Sequence, residues 1–587
     1  MTSYELSVAD AAGHLLEIEV AASGLNGSAE LVFPVWTPGS YLVREHARHV
    51  QWLRAVTGSA EKRAKDRWLV TPDRGELRVR YALYANELTV RTNHVDDTHA
   101  FVNPAAALPY IAGRREEKCR VTVRAPAGWT SVCALPTDDG AFVAADYDEL
   151  ADSPIHVAPK AEPLRFSVRG VPHELVVWGD PGPGYDPARL TADLAKIVEA
   201  QAAIFGGLPY ERYVFLLMLD ERGRGGLEHR ASSALLAPRT TFRPAKSYED
   251  LLLLAAHEAF HLWNVKRLKP RAFAPYDYSS ENYTRLLWAM EGLTSFYEVA
   301  TVRRAGLITG SRALEIWGER LTQLLRTPGR RVQSLEDASL DAWIKYYRSD
   351  EQSPAVQISY YLKGSIVGFL LDLELRARSG GRRSLDDVMR LLWAENGVAG
   401  VPLDEDAFER AASKVLGEDL SAWFARAVRS TEELDAAGAL ARAGLKLRLR
   451  PQETVRDRGG KPAPGGASED DEQDRDRSWF GAEVKAEGGS LRIAAVLPAS
   501  PASTAGLSAG DELVAIDGYK AEPRSWEERL LSRAPGTPAR LHLFRRGRLV
   551  EASPVLASPP LDTAWIERDA AAAPELKALA SAALAET

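Results

Sequence analysis

Two histidines and a glutamate set the question. In SYEDLLLLAAHEAFHLWNVKRL, His257, Glu258 and His261 fall within one turn of what the apolar spacing reads as a helix. Side chains four apart share a face, so both imidazoles can reach one ion. Neutral imidazole is a good zinc ligand at ~2.0–2.1 Å, and a glutamate beside the first ligand can take a proton from a zinc-activated water. The chemistry would be hydrolysis. By the chain's own His and Glu frequencies, the pattern arises by chance on the order of once in a hundred such sequences. Ser247 and Asp250 read as a capping box, and the helix is expected to run to the Pro270 region.

A catalytic zinc needs a third protein ligand and an open fourth position. ENYTRLLWAMEGLTSFYEVATVRRAGL reads as a second long helix ending at Gly306, with Glu291 at its middle and Gly292 next. A glycine inside a helix costs about 1 kcal/mol relative to alanine, which makes sense where another backbone or a ligand comes close. Glu291 is the expected third ligand. Glu298, seven positions on, lies on nearly the same face and is expected to accept a hydrogen bond from a ligand histidine; its plain alternative is a solvated helix charge.

HEAFHLWNVKRLKP, WAMEGLTSFYE and ISYYLKG, together with GGLEH and the early FPVWTPGSYLVREHARHV, resemble the motifs of the zinc metallopeptidase family that includes the PDZ-containing glycyl aminopeptidases, distant relatives of the aminopeptidase N family. The resemblance implies one zinc per chain on His257, His261 and Glu291. It implies that Tyr361, of the YxKG pattern, hydrogen-bonds the tetrahedral intermediate. Physically, a phenol O–H aimed at a developing oxyanion stabilises it more than the planar substrate. Tyr360 cannot point the same way, so one of the pair serves; a tyrosine on an apolar helix would otherwise read as core. In aminopeptidase N-like enzymes a GxMEN segment runs along the substrate and its Glu binds the amino terminus. Here that implies Gly226, Leu227 and Glu228, with His229 where relatives carry Asn. A carboxylate is a natural partner for a substrate ammonium. The resemblance also implies a Gly or Ala preference at the first substrate position.

The elements that must position these groups are spread over 587 residues, too long for one hydrophobic core. With 45% hydrophobic and 26% charged residues, most of the chain should fold. A net charge of -8 gives no basic field for nucleic acid. Two cysteines, Cys119 and Cys133, make no disulfide framework, and whether they pair is open. The N-terminus lacks a secretory pattern, and the apolar run from Leu251 to Ala256 is far short of the ~20 residues a membrane helix needs. The expectation is a cytoplasmic protein with no membrane partner.

The fold class expected is multidomain α+β. Residues 1–162 read as an N-terminal antiparallel β-sandwich and 163–450 as a thermolysin-like, mostly helical zinc catalytic domain. Residues 451–478 read as a flexible charged linker, 479–557 as a PDZ-like β domain and 558–587 as an Ala-rich tail of unread role. In the PDZ-like part, WFGAEVKAEGGSLRIAAVLPASPASTAGLSAGDELVAIDG, Phe480 and Gly481 would form the loop that holds a peptide's terminal carboxylate. A packing domain that binds nothing is the alternative there. His46, His49, His94, His99 and His173 show no ligand spacing and read as structural or surface residues. The leading function is a zinc aminopeptidase acting on peptides with a free N-terminus. A zinc endopeptidase, and a peptide-binding scaffold on a degenerate peptidase body, are the competing readings.

Overall fold

Alternation at the start of the chain becomes strands with one buried face, because successive strand side chains point to opposite sides. Leu77–Tyr84 buries Leu77, Val79, Tyr81 and Leu83 and exposes Arg78 and Arg80. The computed structural model describes residues 1–159, 162–454, 456–463 and 477–586. These form two units. One comprises Met1–Thr284, Tyr297–Ile308 and Asp386–Ala411; the other comprises Arg285–Phe296, Thr309–Leu385 and Ala412–Thr587.

The first unit begins with a seven-stranded sheet in the order Thr137–Asp138, Ala141–Ala144, Cys119–Arg124, Thr2–Asp10, Leu15–Ala22, Leu77–Tyr84, Val50–Thr57. The expectation of purely antiparallel pairing needs one correction: Thr2–Asp10 runs parallel to Cys119–Arg124. The chain between these strands is far longer than a hairpin, and a long connection permits parallel pairing. A four-stranded sheet built on Trp129–Val132, Ile155–Pro159, Ala100–Val102 and His94–Val95 lies in the same unit. Cys119 and Cys133 are both buried and unpaired, and burial pushes each thiol up to about 12.

The apolar run YVFLLML becomes the central strand Tyr213–Asp220 of a five-stranded sheet, parallel to Val171–Trp178 on one side and to Ser232–Pro238 on the other. Buried on both faces, such a strand reads as continuous rather than alternating apolar sequence. Gly225–Glu228 is the edge strand, antiparallel to Ser232–Pro238. Against these last two strands packs the helix Ala245–Phe260.

That helix departs from expectation at both ends. Pro244 is its N-cap and Ser247 is already inside, so the capping box does not form; Asp250 instead accepts from Lys246 Nζ at 2.6 Å. The last helical residue is Phe260. His261 keeps helical φ and ψ of -60° and -20°, and the chain then turns through Val265, at φ 106°, well before Pro270.

In the second unit Glu291 occupies a π-helical turn, Trp288–Gly292, rather than the middle of an α-helix. Residues 281–286 are not helical; the π turn opens the run that continues as Leu293–Arg304. Single π turns inside helices widen the backbone locally and are frequent at functional sites. A Cβ on Gly292 would lie 2.5 Å from Gly364 Cα and 2.8 Å from the Tyr360 carbonyl oxygen, so backbone meets backbone there. The partner helix is Tyr360–Ser379, capped by Ser359 Oγ, which accepts from Leu362 N at 3.2 Å.

The Ala-rich tail has a structural role. Leu561–Arg568 pairs antiparallel with Leu445–Pro451 and sits on the helix Gly310–Leu325, where Thr322 Oγ1 accepts from Ala564 N at 2.8 Å. Part of the expected linker is also packed: Gly460 N donates to Ala564 O at 2.7 Å, and Arg450 pairs with Asp457 at 2.5 Å. The rest of that expectation, residues 464–476, lies outside the described residues. Between these segments is a six-stranded sheet around Leu491, Ile493, Leu513, Ile516, Leu541 and Leu543, with short helices Pro501–Thr504 and Trp526–Leu531. Among the described residues no helix is long and apolar enough to cross a membrane.

The Gly292 contact yields a test. Gly292→Ala places a methyl group against backbone that cannot rotate away, and overpacking of this kind costs about 1–3 kcal/mol. Denaturant unfolding should show the loss as a lower midpoint.

Candidate functional site

The end of the Ala245–Phe260 helix delivers His257, Glu258 and His261 to one place. All three are buried, at 9%, 5% and 1% exposure. His257 Nδ1 lies 2.8 Å from Glu298 Oε2, and His261 Nδ1 lies 2.8 Å from the Asn264 carbonyl oxygen. A carbonyl oxygen and an ionised carboxylate only accept, so each Nδ1 is an N–H donor. That turns both Nε2 atoms toward one place, where they stand 3.1 Å apart with the rings at 82°. Each ring is oriented through its far nitrogen, a geometry in which both near nitrogens can reach one cation.

Around this pair the first unit gathers carboxylates. Glu228, Glu258 and His261 each present a ligand atom, all mutually within 4.8 Å. Glu228 sits at the end of the edge strand Gly225–Glu228, is 3% exposed, and has its Oε1 buried without a hydrogen-bond partner among the described residues. Glycines make the room. A Cβ on Gly226 would fall 1.9 Å from Glu258 Oε1, and one on Gly39 would fall 2.5 Å from Glu228 Oε1. Gly39 also has φ +97°, a conformation side-chain-bearing residues rarely adopt. Leu227, expected along the substrate, buries its side chain in the core with Val90, Phe101 and Leu216. Strand alternation sends Leu227 to the opposite face from Gly226 and Glu228, so only its backbone can line the site.

A charge network that the sequence did not reveal lies beside Glu228. Lys266 Nζ is 2.7 Å from Asp152 Oδ1 and 3.9 Å from Glu228 Oε1; His229 Nδ1 is 3.2 Å from Asp152, and Arg230 N donates to Asp152 Oδ2 at 2.7 Å. Burial opposes the charge on Lys266, but Asp152 and Glu228 more than offset it, and the ammonium titrates above the ordinary lysine range. For Asp152 burial likewise opposes ionisation, yet Lys266 and His229 hold its carboxyl below the ordinary range. His229, whose role was open, is thus a partner of Asp152. Nothing in DELADSPIHV marks Asp152.

In the second unit Glu291 is 2% exposed, and Tyr346 and Tyr360 lie close enough for its charge to raise their hydroxyls further after burial has raised them. Tyr360 is fully buried, whereas Tyr361 is partly exposed and its hydroxyl lies 3.0 Å from that of Tyr347. Tyr347 carried no sequence signal. In the six-stranded sheet Phe480 puts its side chain into the core and its carbonyl accepts from Ala502 N at 3.0 Å. Gly481 has φ +75° and no space for a Cβ beside Ser500, so only the backbone of this loop is available to a ligand. The following strand, Ala482–Glu487, is at the sheet edge.

Comparison with known proteins matches residues 3–159 to the Peptidase M61 N-terminal domain and residues 250–367 to the M61 glycyl aminopeptidase. Among solved structures, an aminopeptidase N family protein from Idiomarina loihiensis is 32% identical, covering 99% of this chain and 100% of that one, with a TM-score of 0.92. An M1 zinc metallopeptidase from Deinococcus radiodurans is 13% identical over 74% of this chain and 94% of its own, with a TM-score of 0.46, a likeness that carries no argument. No curated protein matches the sequence.

The Asp152 network yields the next test. Lys266→Met leaves a buried carboxylate without its main partner and should cost about 3–5 kcal/mol of stability. The ion pair's contribution is present above about pH 4, the ordinary carboxylate pKa, and fades as pH falls toward Asp152's depressed value. Unfolding of wild type and variant at several pH values should therefore show a gap that is full at neutrality and narrows in strong acid.

Proposed function

Because the chain belongs to the M61 glycyl aminopeptidase family and is a metallopeptidase, we propose that it removes the first residue of peptides by zinc-assisted hydrolysis. The observation that carries this reading is the convergence of the two Nε2 atoms to 3.1 Å, with each Nδ1 donating to a group on the far side of its ring. An imidazole pair completed by a carboxylate is a donor set that suits zinc. His257 and His261 would be two ligands and Glu291 the third, for one ion at this site. Glu291 lies in the same continuous helical run as Glu298, seven residues earlier. At 1.5 Å per residue that is about two turns, which returns it to nearly the same face.

When bound, zinc supplies Lewis acidity to the scissile carbonyl and lowers the pKa of a water. The chain's own residues do the rest. Glu258 takes the proton of the attacking water and returns it to the departing amine. Tyr361 donates its O–H to the developing oxyanion, held at the start of its helix by the Ser359 cap. Glu298 keeps the His257 ring turned toward the metal position. Glu228 receives the substrate's ammonium, with Lys266 Nζ 3.9 Å from its Oε1. The backbone of Gly226 and Leu227, on an edge strand, offers an extended peptide a pairing partner.

A small first residue, Gly or Ala, fits the crowding at Glu228, where Gly39 leaves no space for even a Cβ beside the carboxylate. The six-stranded C-terminal sheet is proposed as a PDZ-like module that takes a peptide C-terminus along the edge strand Ala482–Glu487, with the backbone at Phe480 and Gly481 receiving the carboxylate.

Three variants separate the roles. Glu258→Gln should keep its zinc and lose turnover by about 10²-fold or more. Glu291→Ala should bind zinc weakly, measured by metal content after dialysis; a zinc-free preparation with full activity contradicts the assignment. Tyr361→Phe should lower kcat by roughly 10²-fold with KM little changed. Acetylating the substrate's amine should abolish cleavage, and equal rates on blocked and free peptides would mean an endopeptidase with Glu228 in another role.

A further inference from the structure

A second histidine cluster stands in the first unit, apart from His257 and His261. The segment HVDDTH folds as a tight hairpin: His94–Val95 pairs with Ala100–Val102, and Asp96 N donates to His99 O at 3.0 Å. The turn brings together residues whose sequence spacing gave no sign of a site. His94 and His156 both stand opposite Phe101, one from each neighbouring strand, which places them on one face of that sheet. His99 lies between them, with ring centroids 4.9 Å from His94 and 5.7 Å from His156. The Trp178 ring lies 3.6 Å from that of His99, centroid to centroid, tilted by 34°.

These imidazoles are buried, His99 at 0% and His156 at 2% exposure, with His94 at 9%. Five of their ring nitrogens have no hydrogen-bond partner among the described residues: His94 Nδ1, and both nitrogens of His99 and His156. The closest approach, His99 Nδ1 to Asp96 Oδ1 at 3.4 Å, is long for a hydrogen bond and poorly aligned. Asp96 Oδ1 already accepts from Thr98 N, Thr98 Oγ1 and His99 N, which fixes the turn and leaves Oδ2 for another partner. Buried polar atoms are almost always satisfied, so a set of orphans in one place calls for a ligand.

We propose that His94, Asp96 and His99, with His156 as the fourth group, bind a second divalent transition-metal ion of the zinc class. His94, Asp96 and His99 each present one ligand atom, mutually within 4.8 Å. Donors on one tetrahedral ion at ~2.1 Å are about 3.5 Å apart, so small side-chain rotations close this set of three, and His156, its ring centroid 5.7 Å from that of His99, would turn in as the fourth. Imidazole and carboxylate without thiolate select zinc, nickel, cobalt or copper over calcium or magnesium. Asp96 is partly exposed and gives an ion a way in from solvent. The ion would be structural, tying the hairpin to the strand Ile155–Pro159. This goes beyond the peptidase reading and does not depend on it.

The test uses the full chain carrying His257→Ala and His261→Ala, loaded with zinc, dialysed and assayed for metal by mass spectrometry. One zinc per chain is expected, falling to none when His94→Asn and His99→Gln are added. No zinc in the first variant overturns the proposal, and so does zinc that survives all four substitutions. Should the fourfold variant fail to fold, thermal unfolding of the His257→Ala, His261→Ala chain decides. A midpoint raised by added zinc supports the site, and an unmoved midpoint overturns it.

Discussion

Two imidazole Nε2 atoms held 3.1 Å apart in a buried place are the constraint to which the rest of the site answers. Each ring is fastened at its far nitrogen, His257 to Glu298 and His261 to the Asn264 carbonyl. The early end of the helix matters for the same reason. Were the chain to continue helically past Phe260, the Asn264 carbonyl would be drawn into the helical ladder instead of accepting from His261. The turn at Val265 thus helps to orient the His261 ring.

In the first unit carboxylates are crowded beside the histidines, and glycines make that possible: Gly39 stands against Glu228 and Gly226 against Glu258. In the second unit Gly292, next to Glu291, lets the Tyr360–Ser379 helix approach through Gly364. In each case an acidic residue has beside it one that carries no side chain. The Asp152–Lys266 pair stands beside Glu228, with Lys266 Nζ 2.7 Å from Asp152 and 3.9 Å from Glu228.

How much of this could be read from the chain depended on whether one element carried the information. His257, Glu258 and His261 were legible because helical spacing alone unites them. The π turn at Glu291 was not legible, since one extra residue in a turn leaves no mark in the periodicity. Asp152 and Lys266 were hidden, because residues 114 positions apart meet only through tertiary folding. The tail strand Leu561–Arg568 was hidden by its Ala-rich setting; its partner Leu445–Pro451 lies on the far side of the six-stranded sheet in sequence. His94 and His99 had looked unrelated until a hairpin put them side by side.

The account turns on one ion seated between the two histidine Nε2 atoms. An anomalous difference map recorded at the zinc absorption edge from crystals of the wild-type chain tests it most directly. The account predicts a peak about 2.1 Å from Nε2 of both His257 and His261, with a Glu291 carboxylate oxygen in its coordination sphere. A map with no peak there, from protein that still cleaves unblocked peptides, would contradict it.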